Sequence, residues 1–267
     1  MASALAPRLA GPRFGRPLAR AGLALVVPLA ALVLWAASAR YGWLPPQILP
    51  APDIVLGTFA DMVRSGELLD HTRISLLRVA LGFGLGAGAG LLLGTAMGLS
   101  PAFEDYVRPL FTAVAQVPAL GWVPLLMLLV GIDETLKVLV IAKAALVPVM
   151  LNTRDGIRAV PPAYLEVARA FRFGRRQLLR KVVLPAAVPP IFAGIRYGLT
   201  QAWLALVAVE LLASSEGLGY LLVWGRQMFW LDMVIVAMAV IGVVGFVMDR
   251  ALRAVETRLQ RWHVASP

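Results

Sequence analysis

The chain has no cysteine among its 267 residues. Disulfides and thiol chemistry are therefore excluded, and the redox compartment stays open. Acids are scarce, with 15 Asp and Glu against 25 Lys and Arg and a formal net charge of +10. There are two histidines, His71 and His263, far apart and outside the apolar runs. No His/Glu helix motif for a metal ion can be built from them. The Gly-Lys dipeptide is missing, which removes a P-loop and the ATP site that goes with it. There is no nucleophile elbow, and no titratable groups converge at one depth. The sequence therefore offers no catalytic residues, no metal ligands and no cofactor site, and an enzyme is not expected.

What the chain has in excess is apolar sequence: 60% of its residues are hydrophobic, and the mean hydropathy is +0.79. A soluble domain holds roughly 45–50% apolar residues. Only helices or a closed barrel can span a bilayer, and these runs are long and continuous instead of short and alternating. The expected class is all-α: a polytopic membrane protein of about six transmembrane helices. A pI near 11 would suggest nucleic acid in a soluble protein. Here the bases cluster at the ends of apolar segments, which carries topology, and no nucleic-acid partner is expected.

The expected spans are 21–39, 74–99, 110–130, 136–151, 190–212 and 233–248. Residues 1–20 form a basic, disordered arm, and 263–267 a short tail. Asp53 is the expected N-cap of a short helix over Ile54 to Arg64, Ser100 to Arg108 a polar link, Ser214 to Gly219 a loop, and Trp224 to Trp230 an interfacial segment. Six spans put both termini on one side. Most Lys and Arg fall on that side, which makes it the cytoplasm. Arg73 and Arg78 run against this assignment, with snorkelling as their only account.

Three features stand out within the spans. Gly82, Gly86, Gly90, Gly94 and Gly98 recur every four residues, a ridge along which another helix backbone can approach, whether as static packing or as a moving contact. Pro118 and Pro124 interrupt the third span, and irregular backbone in a membrane survives only where protein or a cavity shelters it. That makes Gln116 and Pro118 candidate pathway residues. Lys143 lies inside the fourth span, either as a functional charge or as a snorkelling side chain.

The longest basic stretch, Arg154 to Pro185, holds eight of the 25 bases and two acids, Asp155 and Glu166. Lipid rejects such a segment, so it emerges into water or onto a protein. It resembles the cytoplasmic EAA loop of the integral membrane subunits of bacterial ABC importers. Glu166-Val167-Ala168 matches the Glu-Ala-Ala pattern, and Leu184-Pro185 follows at the family's distance. Arg172 stands where the pattern has glycine, with Gly174 the nearest one. Either the turn has moved to Gly174, or Arg172 occupies the corner. The similarity extends from about Leu49 to Trp262 through LPAPDIV, SGELLDH, SLLRVALGFGLG, QVPALGWVPLLMLLVGID, NTRDGIRAVPP and SSEGLGYLL, which look like the sulfonate, taurine and nitrate permeases.

The resemblance implies a homodimeric permease domain (21–262) in the bacterial cytoplasmic (inner) membrane. Two copies of a separate ABC ATPase subunit would use ATP-Mg below it, and an extracytoplasmic substrate-binding protein would deliver cargo from above. The cargo implied is a small organic anion, aliphatic sulfonate first, with nitrate, taurine or a pyrimidine vitamin precursor as alternatives in the same role. A stand-alone secondary transporter is the alternative of another class, and it has no need of such a loop. The coupling residues implied are Glu166, Ala168, Arg172, Gly174, Leu184 and Pro185. Glu166 could instead be a solvated acid paired with Arg169. Gln201 and Trp203 either line the pathway or pack between helices. Glu210, an acid among apolar residues, belongs either to a gate or to the interface at the span end.

Overall fold

The computed structural model describes residues 16–259, with side chains from residue 26 onward; most of the basic arm and the 263–267 tail lie outside the described residues. In order, the helices are α1 (Arg16–Tyr41), α2 (Pro52–Arg64), α3 (Glu67–Leu99) and α4 (Pro101–Gln116). A 3₁₀ turn (Ala119–Trp122) leads to α5 (Val123–Val130), α6 (Glu134–Arg158) and α7 (Pro162–Ala170). Next come α8 (Arg175–Leu178), a π-helical turn (Leu179–Val183), α9 (Leu184–Ala213), α10 (Leu218–Gln227) and α11 (Leu231–Leu259). No strand occurs among the described residues, so the fold is all-α.

Helix α6 is the spine. The glycine ridge of α3 lies against it: a Cβ on Gly82 would meet Ile141, one on Gly86 the backbone of Ala142, one on Gly90 Leu146, one on Gly94 Met150, and one on Gly98 Ile157. The opposite face takes α9, where Gly194 abuts Asn152 and Gly198 abuts Val149. Missing side chains on both flanks let three backbones come together, and dispersion replaces the hydrophobic drive that lipid does not supply. Ile141, Ala145, Val149 and Met150 are wholly buried as a result. The ridge, legible as a four-residue period, is a close contact with α6 at all five glycines.

Among the described residues, three segments are long and apolar enough to cross a bilayer: Glu67–Leu99, the continuous helix Arg175–Ala213 and Leu231–Leu259. A fourth crossing exists if Pro101–Gln116 and Ala119–Val130 count as one broken span, bent by 90°. Large apolar side chains such as Leu85, Leu92, Leu128 and Phe246 stand exposed on these helices, as lipid-facing surface requires.

Several local expectations shift. Helix α2 starts at Pro52, with Ala51 as N-cap, because proline is pre-organised for the first helical turn. Asp53 thus sits in that turn, where the helix dipole favours an acid. The link after Ser100 is helical, with the Ser100 hydroxyl accepting from the Phe103 N–H. The third span breaks at Val117–Pro118. Pro124 does not break it, since that residue occupies the first turn of α5. Residues 218–227 form α10, and Trp224 packs on a buried cluster of α2, α10 and α11.

Candidate functional site

Three groups of polar residues lie along this scaffold. The first is the basic loop after α6. Helix α7 ends in a Schellman turn: the Phe173 N–H reaches the Ala168 carbonyl at 2.9 Å, and the Arg172 N–H the Arg169 carbonyl at 2.9 Å. That turn needs one left-handed residue, and it is Arg172, with φ of 52°. Gly174 has φ of −67° and N-caps α8, its N–H held by the Gln177 side chain at 3.2 Å. The corner therefore stays at the position where the resembling family has glycine. A non-glycine residue there costs about 1–2 kcal/mol.

Ala168 is buried, while Glu166 stands exposed with no ion pair to Arg169 among the described residues. A groove of about 330 Å³ runs between α7 and the start of α9, lined by Tyr164, Val167, Ala168, Phe173, Lys181 and Pro185. Val183 and Ala187 anchor the loop onto Ile157 and Val160 at the end of α6. From Arg175 the chain continues as helix into α9 for 39 residues. The π-helical turn precedes Pro185, whose missing N–H cannot close the normal bond to Lys181. The eight bases of the stretch divide: Arg154 and Arg158 belong to α6 and turn to Glu104, whereas Arg169, Arg172, Arg175, Arg176, Arg180 and Lys181 are exposed.

Glu104, in the first turn of α4, is the centre of the second group. It is buried, yet it pairs with Arg154 at 3.5 Å, Arg108 at 3.9 Å and Arg158. Arg158 also donates to the Met97 carbonyl at 3.2 Å, so the loop end of α6 is tied to both α3 and α4.

A third group sits at the far end of α9. Arg78 is 3% exposed and Glu210 1%. The Arg78 guanidinium donates to Glu210 at 2.7 Å, to both Glu134 oxygens at 2.6 and 2.7 Å, and to the Glu216 carbonyl at 2.7 Å. Ser75 donates to Glu210 at 2.8 Å, the Gly219 N–H donates to Glu210 at 2.9 Å, and Lys137 donates to Glu134 at 2.6 Å. The His71 Nδ1 accepts the Gly217 N–H at 2.8 Å. Two cations and two carboxylates thus balance, and nearly every lone pair is used, which is the condition for burying charge. The loop passes so close over Glu210 that a Cβ on Gly217 would collide with the carboxylate, and Gly217 has φ of 107°. Arg78 is therefore no snorkelling residue. Its partners come from positions 134 and 210, and no local pattern connects them.

The remaining candidates lie around the broken span. A cavity of about 410 Å³ is lined by Val117, Pro118, Lys143, Asn152, Tyr197 and Gln201, among others. Pro118 and Gln201 are thus placed on it. Gln116 is exposed and is not part of its lining. Trp203 packs against the buried clusters, in the space left by Gly245, and is not part of this cavity's lining. Glu210 belongs to the buried ionic cluster, remote from the cavity lining.

Comparison with known proteins agrees with this architecture. Residues 86–261 match the family described as "Binding-protein-dependent transport system inner membrane component". The chain is 40% identical over 238 residues to the "Putative aliphatic sulfonates transport permease protein SsuC" of Bacillus subtilis (strain 168), spanning 89% of this chain and 86% of the relative. It is 33% identical over 237 residues to the "Taurine transport system permease protein TauC" of Escherichia coli (strain K12), spanning 87% and 86%. It is also 35% identical over 193 residues to the "Bicarbonate transport system permease protein CmpB" of Synechococcus elongatus, spanning 72% and 68%. Among solved structures, an inward-facing form of the MetNI methionine ABC transporter superposes with a TM-score of 0.51 at 18% identity, covering 75% of this chain and 94% of that one, a likeness of fold alone. The chain belongs to the family of binding-protein-dependent transport system inner membrane components, the multi-pass permeases of ABC importers.

Proposed function

We propose that this chain is the permease subunit of an importer for small organic anions, with aliphatic sulfonates as the principal cargo. The observation that carries the reading is the 40% identity with a sulfonate permease over nearly the whole of both chains. Taurine and bicarbonate relatives lie at lower identity, so the anion class is better supported than any one anion.

In this reading two copies of residues 21–262 form the permease domain in the inner membrane, with both termini cytoplasmic. The 154–185 region faces two copies of a separate ATPase, and a binding protein docks on the opposite side. Glu166 and the exposed bases, with Tyr164, Val167 and Phe171, make an amphipathic docking face around a helix–turn–helix. Ala168 keeps the turn compact, Arg172 forms its corner, Gly174 starts the second helix, and Leu184-Pro185 joins it to α9. ATP-driven closure of the ATPase pair moves the loop. Arg175–Ala213 is continuous helix, so the movement is passed along it toward the Glu210 cluster.

The test is uptake of labelled ethanesulfonate into liposomes carrying the permease, its ATPase and its binding protein. Uptake is expected only when ATP and both partners are present. Uptake by the permease alone, driven by an ion gradient, would establish the secondary-transporter alternative instead.

A further inference from the structure

Lys143 is the one charged residue lining the cavity at the broken span, and no acid shares that lining. Its Nζ donates to the carbonyl of Val117, at the point where α4 ends and Pro118 prevents the helix from continuing. The Trp122 ring lies 5.8 Å from it. Lys143 thus holds the unwound backbone in place, yet an ammonium carries three donors and one carbonyl satisfies only one of them. The rest of the wall is apolar except for Asn152, Tyr197 and Gln201, which bring neutral hydrogen-bonding groups from α6 and α9. The bases that neutralise acids elsewhere in the molecule, Arg78, Lys137, Arg154 and Arg158, are all engaged with carboxylates. Lys143 has no carboxylate partner among the described residues.

We infer that Lys143 is the anion-selecting residue of the translocation cavity: it receives the sulfonate head of the cargo, while Asn152, Tyr197 and Gln201 solvate it. A cation in an apolar, water-accessible recess attracts an anion far more strongly than it would in bulk water, and intramembrane charges mark transport pathways. A volume of about 410 Å³ accommodates a small alkyl sulfonate with water. The inference rests on the anion-importer reading above and adds the residue that makes the passage selective.

The absence of native cysteine provides the test. Lys143→Cys would be reconstituted with cysteine-free partners, and ethanesulfonate uptake measured before and after reaction with 2-aminoethyl methanethiosulfonate, which restores an ammonium, or with methyl methanethiosulfonate, which adds only bulk. Uptake should fall by about tenfold or more in the variant, recover with the aminoethyl adduct and stay low with the methyl adduct. Undiminished uptake, or equal recovery with both reagents, would overturn the assignment. If the variant fails to co-purify with the ATPase, Lys143→Arg and Lys143→Met decide: retention with Arg and loss with Met supports it, and equal behaviour of the two overturns it. A parent complex that takes up no ethanesulfonate overturns the sulfonate cargo itself, and this inference of a sulfonate-receiving lysine with it.

Discussion

At the scale of single residues, the Arg78–Glu210 pair is the most sensitive to losing one partner. Side-chain exposures of 3% and 0% leave no water to compensate a broken bond. Removing one member of a buried pair costs about 3–5 kcal/mol, because the other charge is stranded. Glu210→Ala is therefore expected to lower the thermal stability of the detergent-solubilised permease sharply. Glu134→Gln should cost less than Glu210→Ala, because this side chain is 60% exposed and the amide oxygen can still accept from Arg78 or Lys137. Equal shifts for the two variants would mean that the cluster is wetter than this geometry. Arg172 is the converse case, a residue that spends stability to keep its side chain at an exposed corner. Its outward position among five other exposed bases makes it a docking contact in the proposed assembly.

Among the elements, the α3–α6 contact is the one a substitution can break most cleanly. Gly86 lies against the backbone of Ala142, which cannot rotate away, whereas a Cβ on Gly88 meets nothing within 4 Å. Gly86→Ala should destabilise the fold by about 1–3 kcal/mol through overpacking, while Gly88→Ala should behave as the parent. Size-exclusion profiles and melting curves of the two purified variants decide this, and a reversed order would place α6 on the wrong face of α3. This ridge was fully legible in the sequence because a period of four needs no partner to be seen. The helix ends were less so: α6 runs on to Arg158 and α11 to Leu259 because a helix continues into water once its lipid-facing length is complete. Helix α10 was hidden by Gly217 and Gly219, which read as loop residues, and by Gly225, which fell in the stretch read as interfacial. They are there for close approach, Gly217 and Gly219 to Glu210 and Gly225 to Val234.

For the molecule as a whole, charge and helix connect the two ends. The 39-residue helix from Arg175 to Ala213 is about 58 Å long at 1.5 Å per residue. One end carries the basic loop, and the other the carboxylate that Arg78 holds. Hydropathy and the Glu166-x-Ala168 pattern were enough to place the loop and name the class. The ionic clusters were not legible, since Glu104 meets Arg154 and Arg158, and Arg78 meets Glu134 and Glu210, across separations that only the packed helices close. Lys143 was visible as a charge inside an apolar run, but the cavity it lines together with Pro118 was not.

Force transfer through the basic loop is the central claim, and Glu166→Lys tests it most directly. Glu166 is exposed and takes part in no ion pair among the described residues, so reversing its charge should leave folding and insertion intact. The measurement is co-purification of the ATPase with the permease, together with ethanesulfonate-stimulated ATP hydrolysis in liposomes containing the binding protein. The account predicts a normally inserted permease that retains less ATPase and loses stimulated hydrolysis. Unchanged ATPase retention with unchanged stimulated hydrolysis would contradict it.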